Sequence, residues 1–223
     1  MIAEIRKEYR MAKEHARYQT MGEEIANSVS HGVGAMLALI GAVALTARSF
    51  STGSGKTVFS IAAYGVSLVL LYSASAVYHA VKNDRWKARL RVLDHCSIYL
   101  LILGTYIPMS LVVIGGKLGW LLFLTNAALA AIGITLTAID LKRFDKVSLA
   151  LYALMGWLVV VAMRTVLASM SPVASALLIA GGVAYTVGIV FFKSKRSYMH
   201  FVWHLFVLAG SVLQYLCIAL SCL

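Results

Sequence analysis

LGWLLFLTNAALAAIGITLTAI, residues 118–139, carries no charged side chain over the ~20 residues that a helix needs to cross the ~30 Å hydrocarbon core of a bilayer. Its apolar residues are continuous and do not alternate with polar ones, so it reads as a membrane helix and not as a barrel strand. Lys117 and Asp140 bound it. Six further runs of this kind, each bounded by charged or glycine-rich breaks, lie at 28–47, 57–81, 92–113, 147–169, 174–192 and 200–221. The expected fold is therefore all-α, an integral membrane bundle of seven transmembrane helices over 28–223, preceded by a cytoplasmic or interfacial leader over 1–27. Short connections make sequential helices antiparallel neighbours.

Composition agrees. The chain is 61% hydrophobic and 13% charged, with a mean hydropathy of +0.83, outside the range of an ordinary soluble domain. Two prolines against seventeen glycines suit long helices that satisfy their own backbone polar groups. A net charge of +11 does not point to nucleic acid, because the basic residues sit in the breaks between spans and not on one face of a soluble domain. Cys96, Cys217 and Cys222 fall in apolar segments without disulfide or metal-ribbon spacing. Residues 1–27 mix basic and acidic side chains and contain no signal-peptide core, so the mature chain is expected to begin at Met1. Within the leader, Ile2, Ile5, Tyr9, Ala12 and Ala16 recur at helical spacing, which fits a helix along the inner membrane surface or a frayed segment. Gly32, Gly34, Gly41, Gly181 and Gly182 suit close helix packing in lipid.

Basic residues alternate between rich and poor breaks. Arg6, Lys7, Arg10, Lys13 and Arg17 precede the first span; Lys82, Arg85, Lys87, Arg89 and Arg91 follow the second. Only Arg48 and Lys56 flank the first break, and Lys117 stands alone in the third. Lys142, Arg143 and Lys146, then Lys193, Lys195 and Arg196, mark the fourth and sixth breaks. The positive-inside rule puts the amino terminus in the cytoplasm and the carboxy terminus outside. Arg164 falls near the outer end of the fifth span, where its side chain can snorkel.

That orientation gathers dispersed polar residues. His79 lies at the inner end of span two, Asp94 opens span three, and His200 and His204 occupy the first turns of span seven. Four positions separate His200 from His204, placing both imidazoles on one helix face at a spacing suited to a shared metal. Two interfacial histidines could merely face headgroups, but a third from another helix argues for a ligand set of His79, His200 and His204. Ser75 precedes His79 by the same interval and could hydrogen-bond a metal-bound water. Asp94 could pair with Arg91 or Lys87, or could orient that water as a base. His95 points about a hundred degrees from Asp94 and reads as a packing residue. His31 has the right depth but no partner at metal spacing, and His15 reads as solvated. On span seven, Ser211 and Gln214 continue the histidine stripe, either as packing contacts or as the wall of a cavity able to admit a lipid chain.

In order and spacing, Ser75 to His79, Asp94 with the later Gly104-Thr105-Tyr106-Ile107-Pro108, and His200 to His204 resemble the progestin and adipoQ receptor family. Glu23-Glu24-Ile25-Ala26-Asn27-Ser28-Val29-Ser30-His31-Gly32 resembles its bacterial, hemolysin III-like branch. The resemblance covers nearly the whole chain. It implies seven helices with a cytoplasmic amino terminus in a bacterial inner membrane, and zinc on His79, His200 and His204. It also implies a link to hemolysis or membrane lipid homeostasis. The superfamily's adiponectin receptors and alkaline ceramidases are thought to hydrolyse lipid amides, which implies a membrane lipid or fatty-acyl substrate and places Ser75 and Asp94 beside a zinc-bound water. The extensions of the animal receptors are absent, so hormone reception does not carry over.

Three imidazoles with an open position suit catalytic zinc. The expected activity is a zinc-dependent lipid amidase, with Asp94 accepting the water's proton and Ser75 assisting the oxyanion. The competing expectation is a non-enzymatic protein: a lipid-state sensor with structural zinc, or a pore-former. A pore is disfavoured because the deep ionisable residues collect at one end instead of recurring through the span centres.

Overall fold

In the computed structural model, residues 19–223 are described; the surface helix expected from Ile2 to Ala16 lies outside them. The described chain is built of α1 (Met21–Ser49), α2 (Gly55–Ala80), α3 (Asp84–Pro108), α4 (Gly116–Asp140), α5 (Asp145–Trp157), α6 (Met163–Ser169), α7 (Pro172–Phe192) and α8 (Met199–Cys222). Seven helical segments among the described residues have the length and hydropathy to cross a membrane, α5 and α6 forming one of them. Val29, Leu37, Leu121, Val161 and Val190 remain exposed on the outside of the bundle. Such a surface suits lipid and would be a liability in water.

Local chemistry sets the helix ends. Thr20 caps α1 in a reciprocal box: its Oγ1 accepts from the Glu23 amide, and Glu23 Oε2 accepts from the Thr20 amide at 2.7 Å. The other Glu23 oxygen accepts from the Tyr198 amide at 2.7 Å, tying the start of α1 to the start of α8. Ser54, Asn83 and Ser171 cap α2, α3 and α7 in the same side-chain-to-backbone manner. Helix α1 thus begins at Met21, so residues 21–27, read from sequence as leader, form its opening turns.

Two segments depart from continuous helix. The chain after Pro108 continues as a π-helical turn, Met109–Ile114. The fifth span is interrupted by a 3-10 stretch, Leu158–Ala162. Tyr106 holds that interruption, its hydroxyl donating to the Gly156 carbonyl at 3.1 Å and accepting from the Val159 amide at 2.6 Å.

Helices α2 and α3 meet at Gly104, where an added Cβ would fall 2.1 Å from Ser67 Oγ and 2.5 Å from Ser67 Cβ. Rotating the hydroxyl cannot relieve the second clash. Gly104→Ala is therefore expected to cost about 1–3 kcal/mol, read as a lowered unfolding temperature in detergent, and an unchanged temperature would refute the tight crossing. Because this crossing sets the spacing of α2 and α3, it also sets how His79 and Asp94 stand relative to each other.

Candidate metal centre

The starts of α1, α3 and α8 and the end of α2 converge at one end of the bundle. Ser28 Oγ donates to the Ala76 carbonyl at 2.9 Å, fixing α1 against the last turn of α2. There His79, from α2, meets His200 and His204, from α8. Their ring centroids lie 5.2 Å (His79 to His200), 5.1 Å (His79 to His204) and 4.7 Å (His200 to His204) apart. One ligand atom from each falls within 4.8 Å of the others. His79 and His204 are buried and His200 half-buried.

The hydrogen bonds of two of these rings, His79 and His204, leave one nitrogen of each for a further partner. His79 Nδ1 lies 2.8 Å from Glu24 Oε2, and a carboxylate can only accept, so Nδ1 carries the proton and Nε2 keeps its lone pair. Ser30 Oγ donates to the Asn27 carbonyl at 2.9 Å and lies 3.2 Å from His204 Nδ1. Its hydrogen being spent on Asn27, Ser30 must accept from His204 Nδ1–H, which again frees Nε2. The Nε2 atoms of His79, His200 and His204 are all buried and without a hydrogen-bond partner among the described residues. Such atoms are costly unless something binds them. Three convergent neutral imidazole nitrogens therefore fit a borderline cation such as zinc.

Glu24 was not among the residues read from the sequence as site members. Its second oxygen lies 2.9 Å from Lys87 Nζ on α3, so one carboxylate joins α1, α2 and α3. Lys87 is engaged there and with the Tyr78 and Val81 carbonyls, so Asp94 does not take it as the partner suggested by the charge pattern. Asp94 instead lies 3.6 Å from His95 Nδ1, while that nitrogen also faces the Arg91 carbonyl at 2.9 Å. Ser75 is buried on α2, one turn before His79, its hydroxyl without a partner among the described residues.

His31 stays outside the metal-capable set, as its lack of a partner at metal spacing suggested, but its ring packs against that set. Its ring stacks on His204 with centroids 3.6 Å apart and planes 9° from parallel, and it meets Tyr72 edge-on. Neither ring nitrogen has a partner among the described residues. His31 and Asp94 both line a cavity of about 150 Å³ that runs between α3, α5, α7 and α8. Leu71, Ile98, Met109, Leu178 and Val207 make most of that wall apolar. The cavity continues past Tyr185 to Gln214, so one chamber connects the histidine end to the middle of the bundle.

A model of the haemolysin-III-related proteins matches residues 19–215 of the chain. The chain belongs to that family. Within it, hemolysin-3 of Bacillus cereus is 38% identical, aligned over 90% of this chain and 92% of its own length. The hemolysin-3 homolog of Bacillus subtilis strain 168 is 37% identical over 91% and 96%. More distantly, the chain is similar to the human monocyte to macrophage differentiation factor, 29% identical over 92% of this chain and 87% of that protein. No solved structure matches the chain. Family membership and the seven apolar helices make this a multi-pass membrane protein.

Proposed function

We propose that this haemolysin-III-type protein is a zinc-dependent lipid amide hydrolase acting in membrane lipid homeostasis. It would lie in a bacterial inner membrane with its amino terminus and histidine centre on the cytoplasmic side. The observation that carries the reading is the pairing of three unpartnered Nε2 atoms with a largely apolar cavity whose wall includes His31, stacked on His204, and Asp94. His79, His200 and His204 would hold the ion. When bound there, zinc supplies Lewis-acid polarisation of a carbonyl and an acidified water for attack.

The chain's own groups supply the rest. The cavity between α3, α5, α7 and α8 takes the acyl chain and excludes water from it. Asp94, on the cavity wall, accepts the proton of the attacking water at its carboxylate and passes it to the leaving amine. Ser75 donates its unspent hydroxyl hydrogen to the carbonyl oxygen as negative charge develops there. His31, stacked on His204 and facing the same chamber, donates a second hydrogen bond to the acyl group.

Purified protein should contain about one zinc per chain and release fatty acid from a ceramide or another N-acyl lipid. A zinc-loaded preparation that turns over none of a panel on which a control ceramidase works would overturn the enzymatic reading. The rival, a lipid-state sensor with structural zinc, has one observation in its favour: Glu24 links α1, α2 and α3 beside the histidines, as a structural joint would. The names of the Bacillus relatives raise lysis as a separate activity, and vesicle leakage that persists in His79→Ala would divorce it from this centre.

A further inference from the structure

Halfway through the bundle, the mostly apolar cavity wall presents a carboxamide. Gln214 on α8 lines it and is 5% exposed. Its Nε2 donates to the Leu178 carbonyl on α7 at 3.0 Å. Only the NH₂ side of a carboxamide can donate to a carbonyl, so that bond fixes the orientation of the amide. Oε1 is then left buried and without a partner among the described residues. Gly181 makes room for the side chain, since a Cβ there would lie 2.6 Å from Gln214 Nε2.

Helix packing accounts for the amide nitrogen and leaves the oxygen unexplained. Nearby, Tyr185 lines the same cavity, its hydroxyl 2.9 Å from Ser211 Oγ. Tyr72 donates to that serine from the other side at 2.6 Å. Carboxamide and phenol thus both line a mostly apolar chamber, tied through Ser211 one turn from Gln214 on α8. Ten residues of helix separate Gln214 from His204, roughly 15 Å along the axis. Polar groups at that depth persist when they have partners to meet.

We propose that Gln214 and Tyr185 form a second polar subsite that recognises an acyl chain bearing a hydroxyl midway along its length. The chain hydroxyl donates to Gln214 Oε1 and accepts from the Tyr185 hydroxyl, while the acyl head lies at the histidine end. This rests on the reading of the cavity as an acyl-chain chamber. It adds a preference that a simple hydrocarbon slot would lack, because a slot built only of apolar side chains would disfavour the hydroxyl.

Oleate and ricinoleate differ by one mid-chain hydroxyl and provide the probe. Binding of each, radiolabelled, to the full-length zinc-loaded protein in nanodiscs should favour ricinoleate by about tenfold, the worth of one well-made buried hydrogen bond. Gln214→Leu should remove or reverse that ratio while leaving oleate affinity within about twofold. Tyr185→Phe should reduce the ratio in a protein whose fold loses only one oxygen, which keeps the test open if Gln214→Leu folds poorly. Equal binding of the two lipids to the wild type overturns the subsite and leaves the acyl chamber standing. So does a preference undiminished in both variants. Failure of both lipids to bind overturns chamber and subsite together. In His79→Ala the ricinoleate preference should survive, since the subsite lies far along α8 from the metal ligands; its loss there would locate the discrimination at the histidine end and refute the proposal.

Discussion

His79→Ala should strip the purified protein of bound zinc and lower amide hydrolysis by more than about a hundredfold, beyond the usual cost of altering an outer hydrogen-bond partner. His200 and His204 would survive as a pair one helical turn apart, but the ligand from α2 closes the set, and two imidazoles on α8 alone leave the ion loosely held. The fold should persist. Glu24 keeps its 2.9 Å pairing with Lys87 when the imidazole is gone, and α1 keeps its bond from Ser28 to the Ala76 carbonyl. Helix α8 keeps its link to α1 through the Tyr198 amide and Glu23. Metal content, turnover and unfolding temperature measured on one preparation therefore separate the rival readings. Lost metal and lost turnover at a nearly unchanged unfolding temperature fit a catalytic ion, whereas collapse of the fold would make the ion structural and sink the hydrolase.

The three histidines were legible because two sequence signals coincided: alternating spans joined by short connections bring the end of one and the start of another to a common level, and the i, i+4 interval gives a shared face. Glu24 escaped because residues 1–27 read as a leader, so the helix appeared to begin beyond it. The signal that could have found it was present. Thr20 with Glu23 three residues later is a capping-box signature, which starts α1 at Met21. Glu24 and His31 then fall two turns apart on one face, and both meet the histidine cluster from it. The partner of His31 was not legible, because stacking on His204 joins residues distant in the chain and depends on where α1 crosses α8. The interruption of the fifth span was hidden for a similar reason: the hydroxyl that satisfies its backbone comes from Tyr106 on α3. Apolar continuity shows that a segment crosses the membrane. It says nothing about whether the helix within it is unbroken.

Glu24→Ala should weaken zinc binding by about 10–100-fold without changing the stoichiometry reached at saturation. The argument runs through one proton. With the carboxylate 2.8 Å away, His79 Nδ1 holds hydrogen, the ring is locked in one tautomer, and Nε2 presents its lone pair beside His200 and His204. Alanine removes the lock, so the ring can rotate or place its proton on Nε2, the atom needed for the ion. The negative charge that makes the imidazole a stronger donor is lost as well. Stability should fall less than affinity, because Lys87 retains its bonds to the Tyr78 and Val81 carbonyls and is not stranded. Glu24→Gln gives the decisive comparison: its amide oxygen can still accept from Nδ1–H but carries no charge. Its affinity should therefore fall between wild type and alanine, as measured by competition with a chelator of known strength. Wild-type affinity in Glu24→Ala would show that His79 is positioned by the packing of α2 alone, and that the carboxylate serves only to pair Lys87.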